Sequence, residues 1–173
     1  MQKILVITHI IENSFLETDY YEGHSLLTMQ IAFKLTTKLG FAQPEIIAKI
    51  IQASILHDAL FENKELSSIS TITQLKSSKI SESDKKIVLD HAEQFASYFK
   101  TFNWISDDVI TAIREHHCRR DSESLNQVGC PNEITTFSAI FNMSLQAADH
   151  FFQFGHNQAS INDLKVFFGK IVF

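Results

Sequence analysis

The sequence predicts an all-α fold, a bundle of about seven to eight helices in a single domain covering 1–173. Only five Gly and two Pro punctuate the chain, too few for the frequent turns of a strand-rich protein. Apolar residues recur at intervals of three and four, the period of a helix with one buried face. With 173 residues, 45% hydrophobic and 20% charged, the chain is long enough to bury one sizeable core. Lys3 to Phe15 suits a first helix, although Ile4, Val6 and Ile10 would also suit a short strand. The next helix runs from about His24 to Leu39, with Leu27, Ile31 and Leu35 along one stripe and Gly40 as its stop. Pro44 opens a third at its first turn, with Ile47, Ile50, Ile51, Ser54 and Ile55 on the buried face, ending at or just after His57 and Asp58.

The polar stretch from Glu62 to Lys79 reads as a loop holding one short helix near Ile69 to Leu75. Ser81 caps the following helix, with Glu82 and Asp84 in its positive first turn, and this helix carries His91 on toward Phe99. Ser106 with Asp107 and Asp108 starts another in the same way, and Val109, Ile110 and Ile113 lead from there to His116 and His117. Asp121 to Cys130 is a polar loop, after which Pro131 and Asn132 introduce a helix through Phe141, Leu145, Ala148 and Phe152 that carries Asp149. A closing helix fits Ile161 to Val172. No internal repeat or long low-complexity linker argues for a second domain.

Composition removes several function classes. Fifteen Lys and Arg against twenty Asp and Glu give a net charge of −5, so no global basic field draws the chain to DNA or to an acidic membrane. No run of about eighteen apolar residues is present, and the start MQKILVITHI lacks the zones of a signal peptide, so a cytoplasmic location is expected. Cys118 and Cys130 are too few for a disulfide framework and lack CxxC spacing, so cysteine chemistry is not expected. No glycine-rich phosphate loop supports an ATP-driven role.

The histidines carry the chemistry. His24, His57 followed by Asp58, His91, and the pair His116 and His117 each fall near the end of an apolar-periodic helix, where a bundle can turn them toward one point. Neutral imidazoles and carboxylates without Cys suit Fe, Mn or Zn rather than a thiolate-bound structural zinc. A shared carboxylate can bridge two cations at the separation of about 3.5–4 Å used by two-metal hydrolytic sites. Singly, each of these histidines reads more readily as a cap or surface group; in this order they read as a metal site. His9, His150 and His156 have no place in the scheme and read as surface or hydrogen-bonded groups. Phe33, Phe41, Phe95, Phe99, Phe141, Phe151 and Phe152 read as core. Joint exposure of Phe151, Phe152 and Phe154 would instead mark an oligomer contact, consistent with a homodimer.

Order and spacing resemble the HD superfamily of metal-dependent phosphohydrolases. EGHSLLTMQIAFKLTTKLGF and then IIQASILHDAL resemble that family's first His and its His-Asp pair. LKSSKISESDKKIVLDHAEQF, NWISDDVITAIREHHCRRDSES and SLQAADHFF are similar to successive segments of the HD-GYP branch, bacterial phosphodiesterases of the signalling molecule cyclic di-GMP. The resemblance implies His24, His57, Asp58 and Asp149 on one metal and Asp58, His91, His116 and His117 on the other, with Asp58 bridging. It implies two divalent transition-metal ions, Fe or Mn ahead of Zn, and hydrolysis of cyclic di-GMP or a related nucleotide by a hydroxide held between them. Asp58 and Lys76 would then be the catalytic residues, with Lys76 and Lys79 facing substrate phosphate; Arg119 and Arg120 are expected to help bind it only through their proximity to the histidine pair.

The chain departs from the branch at three places. Leu60 and Phe61 stand where it has Gly-Lys, whose Lys contacts phosphate. Asp121 is followed by Ser122, Glu123 and Ser124 in place of the Gly-Tyr-Pro loop, and Cys118 stands where a Glu would precede it. Tyr20 occupies the position at which some relatives carry a Glu for a third metal, so two metals are expected. These departures leave open another small phosphoester or nucleotide as substrate. HAEQFASYFKTFNWISDDVITAIREHH is also similar to the HDOD branch, whose members mostly serve as noncatalytic signalling and protein-interaction modules.

Overall fold

The computed structural model describes residues 20–119, 123–126 and 130–155, without the side chain of residue 21. Among them are six α-helices: α1 (Tyr20–Lys38), α2 (Pro44–Leu56), α3 (Ile72–Ser77), α4 (Glu82–Phe99), α5 (Asp107–Glu115) and α6 (Thr136–Phe154), with a 3₁₀ turn at Lys64–Ser68 between α2 and α3. The described residues contain no strand, so the all-α class agrees. The helices expected at Lys3 to Phe15 and at Ile161 to Val172 lie outside the described residues, as do Arg120 and Asp121. No helix among the described residues is long and apolar enough to cross a membrane.

Local chemistry explains most of the helix ends. Gly40 stops α1: its φ of +79° is the left-handed conformation that glycine adopts without strain. Phe41 N–H then donates to the Thr36 carbonyl at 2.9 Å, closing the helix end. Pro44 stands at the start of α2. Thr71 and Gln74 form a reciprocal capping box on α3. The Ser81 hydroxyl accepts the Asp84 N–H at 3.1 Å, as expected for α4.

Three local expectations need correction. Ser106 precedes α5, but its side chain makes no capping hydrogen bond; the acidic first turn is engaged from outside instead, where Asp108 pairs with Lys49 at 2.5 Å. The last helix starts at Thr136 rather than at Pro131 and Asn132, because the Thr135 hydroxyl caps the Ser138 N–H at 3.1 Å. Ile55, assigned to the buried face of α2, is 52% exposed, since the buried side of the helix is centred on Ile50, Ala53 and Ser54.

Packing puts α1 against α6, α4 against α5, and α2 between α1 and α5. The α1 and α6 faces carry small fully buried residues, Thr28, Ala32 and Thr36 on one and Ser138, Ser144 and Ala148 on the other, which allows close approach of two backbones. The main core gathers Val88, Phe95, Phe99, Val109, Ile113 and Phe141 from α4, α5 and α6. Of the phenylalanines expected inside, Phe41 and Phe152 are exposed. Phe154 is exposed beside Phe152, while Phe151 is half-buried.

Cys118 and Cys130 are bonded to each other across a Cα separation of 5.3 Å, contrary to the expectation that they do no chemistry. Two cysteines cannot build a framework, but they can make one link where the chain doubles back. That return is tertiary: Ser124 Oγ donates to the His117 carbonyl at 2.7 Å, bringing the segment after α5 back over the helix end.

Candidate metal centre

Five helices deliver the predicted donors. His24 lies in the second turn of α1, His57 and Asp58 immediately follow α2, and His91 is in the middle of α4. His116 caps the end of α5 with His117 after it, and Asp149 sits toward the end of α6. Six of the seven, all but His91, line one cleft together with Ser67, Ser70, Leu145, Gln146 and Arg119. His91 reaches it from behind, its Nε2 3.3 Å from Asp58 Oδ1. The seven residues thus meet at one place in the fold.

The helices also set the direction of the rings. His57 Nδ1 donates to the Ser54 carbonyl at 3.0 Å, His91 Nδ1 to the Val88 carbonyl at 2.6 Å, and His116 Nδ1 to the Ile113 carbonyl at 2.5 Å. Each bond spans three residues back along the chain, a contact that helical geometry makes available. A carbonyl only accepts, so Nδ1 carries the proton and a neutral ring turns its Nε2 lone pair inward.

Those lone pairs are crowded. His91 Nε2 lies 3.0 Å from His116 Nε2 and 3.2 Å from His117 Nε2. His116 Nε2 is 3.6 Å from Asp58 Oδ1, and His57 Nε2 is 3.5 Å from Asp58 Oδ2. Donor atoms of Asp58, His91, His116 and His117 all fall within 4.8 Å of one another. Lone pairs this close repel unless positive charge, a shared proton or a cation, sits among them. His57 Nε2 and Asp58 Oδ1 are fully buried and have no hydrogen-bond partner, a state that is costly without a ligand to satisfy it. The donor set therefore fits a metal ion.

A second arm of the cleft is formed by His24, Asp149 and Tyr20. His24 Nε2 is 2.8 Å from Asp149 Oδ1, although not aligned as a hydrogen bond. Tyr20 Oη donates to the same carboxylate oxygen at 3.0 Å and stacks on the His24 ring. Sequence reasoning noticed Tyr20 only as a residue that is not Glu; its reach to Asp149, 129 positions away, had no local signal. Ser67, Ser70 and Gln146 were missed for the same reason.

Electrostatics agree with ligand-ready groups. Burial pushes the Asp58 carboxyl up, but the surrounding His57, His116 and His91 outweigh it and hold Asp58 well below the usual carboxylate range. Burial depresses His57 to about 4, and burial with the neighbouring His116 and His91 carries His117 well below its ordinary value. Both are neutral, as metal ligation requires. Burial also opposes charge on His24, yet the facing Asp149 raises its pKa overall. Asp149 is lowered: burial opposes the shift, while His24 and the hydroxyls of Tyr20 and Ser70 dominate.

The phosphate-facing residues divide. Arg119 lines the cleft, whereas Lys76 and Lys79 are exposed and are not among its lining residues. Phe61, where the branch has its phosphate-binding Lys, is 4% exposed and packs on His91 with ring centroids 4.7 Å apart. The position that would carry an anchor for substrate is part of the core.

Compared with known proteins, the chain matches no family model, no curated protein and no solved structure. A buried Asp and His cluster that could hold a metal ion is compatible with an HD-like site without being specific to it.

Proposed function

We propose that the chain is a metal-dependent phosphohydrolase with a dinuclear site. The observation that carries this reading is the convergence of inward-facing Nε2 atoms of His91, His116 and His117 on the Asp58 carboxylate. His24, His57, Asp58 and Asp149 would hold one cation and Asp58, His91, His116 and His117 the other. Divalent cations held there would supply Lewis acidity toward a phosphoryl oxygen and would lower the pKa of a bound water toward neutrality. The chain's own contribution is orientation. The backbone-anchored rings keep their lone pairs aimed, buried Asp58 stays ionised at the centre, and Arg119 lines the cleft as the one Lys or Arg among its described lining residues.

The HD-GYP resemblance makes cyclic di-GMP or a related nucleotide the first substrate to try. A second reading, a smaller phosphoester such as a nucleoside monophosphate, is favoured by buried Phe61 and by the absence of Lys76 and Lys79 from the cleft lining. The test is elemental analysis of protein purified without chelator, followed by hydrolysis assays on cyclic di-GMP, nucleoside monophosphates and a generic phosphodiester. Bound Fe, Mn or Zn that is lost in Asp58→Asn together with hydrolysis is the expected result. If the protein takes up none of these metals, the hydrolase reading fails.

A further inference from the structure

The end of α5 delivers two adjacent histidines to the cleft, and a helix end leaves its last four carbonyls without partners inside the helix. No glycine follows to close this end; the next five described positions after His117 are Cys118, Arg119, Glu123, Ser124 and Leu125. The Glu115 carbonyl accepts the Cys118 N–H at 2.8 Å, and side chains add further bonds to the carbonyls around this turn. Asn142 Nδ2 donates to the Glu115 carbonyl at 2.9 Å and to the Cys118 carbonyl at 3.4 Å. Ser124 Oγ takes the His117 carbonyl at 2.7 Å, and Asn126 Nδ2 takes that of Arg114 at 3.3 Å.

Asn142 has the singular place among these. Its two acceptors flank the histidine pair, one residue before His116 and one after His117. It lies on α6, so it ties the strand of backbone carrying both rings to a neighbouring helix. It is 2% exposed, and a buried amide in a helix interior is a poor helix former and costly to desolvate; its Nδ2 makes both bonds, while its buried Oδ1 has no hydrogen-bond partner. What the amide does here is bridge the Glu115 and Cys118 carbonyls from α6.

We propose that Asn142 is the positioning residue that sets the orientation of His116 and His117 toward the cation. The inference rests on the metal reading above, and it assigns a determinant of that site outside its ligand set. Partners that orient ligands from behind typically change metal affinity by about 10- to 100-fold when removed.

The experiment is titration of the metal-free full chain with Co(II), read by the visible absorption of the bound ion and by its Kd. Asn142→Leu, with the same branching but without the donors, should raise Kd by about 10- to 100-fold and change the absorption band. Asn142→Ser covers the case in which the leucine variant does not fold. It resembles the neighbouring Ser138 and Ser144 and is too short to span both carbonyls, so the same shift is expected. Ile110→Val, on α5 but away from its end, is the control. It costs about 0.5–1.5 kcal/mol of stability and should leave Kd and band unchanged. Asn142 variants with the wild-type Kd and band, or an equal shift in Ile110→Val, overturn the proposal. A wild-type chain that binds no Co(II) fails the metal reading itself, and the positioning role falls with it.

Discussion

Acidifying the metal-free protein should unfold it over a window set by buried histidine, with His57 and His117 the rings whose burial opposes protonation. Burial holds His57 near 4 in the fold, against about 6.5 for a solvated imidazole in the unfolded chain. Between these values the unfolded chain binds a proton that the fold refuses, so stability falls as pH drops from 6.5 and levels below about 4. The gap corresponds to about 3 kcal/mol from His57, and His117, also depressed by burial, acts in the same direction. His24 does not counter this. Its pKa is raised, so its contribution is fully present below pH 6.5 and is lost only as pH rises through its folded value. Asp58, lowered in the fold, contributes above about 3.8 and loses that contribution at more acid pH, beneath the histidine window. Urea unfolding in EDTA at several pH values from 7 to 4 measures the effect; with a slope of about 1–3 kcal/mol per molar, the His57 contribution moves the midpoint by about 1–3 M. In His57→Gln the same series should be flatter by about 3 kcal/mol, whatever its absolute stability. Parallel pH profiles for the wild type and this variant would refute the reasoning.

Phe61→Ala should lower stability by about 3–5 kcal/mol, read from urea midpoints, because Phe61 is 4% exposed and contacts both His91 and Phe95. If hydrolysis is found, Lys76→Ala and Lys79→Ala should leave kcat/KM within about twofold, whereas Arg119→Ala should lower it by about tenfold or more, the scale of one lost charged hydrogen bond. Steady-state kinetics on one substrate decides this, and a large loss at Lys76 would contradict the geometry of the cleft.

Which parts of this molecule could be read from sequence follows the range of the forces involved. Gly40, Pro44 and Ser81 mark helix ends through backbone conformation and short-range capping, so neighbouring residues suffice to locate them. Ser106 shows where such a rule weakens: the residue stands at the predicted boundary but its hydroxyl makes no cap. The start of α6 lies beyond Pro131 and Asn132 because the Thr135 hydroxyl accepts the Ser138 N–H and fixes the first turn there.

The chain by itself determined the helical class and the identity of the candidate donors, since amphipathic periodicity and the order of His24, His57, Asp58, His91, His116, His117 and Asp149 are properties of the linear sequence. Tertiary structure alone decided that three Nε2 atoms crowd one carboxylate, that Cys118 meets Cys130, that Phe61 fills core beneath His91, and that Asn142 holds the end of α5. Apart from the Cys118–Cys130 link, which closes the connection after α5, each depends on how separate helices pack. Helix periodicity tells which face of an element is buried, but the distance and angle between faces come from the joint packing of residues far apart in the chain.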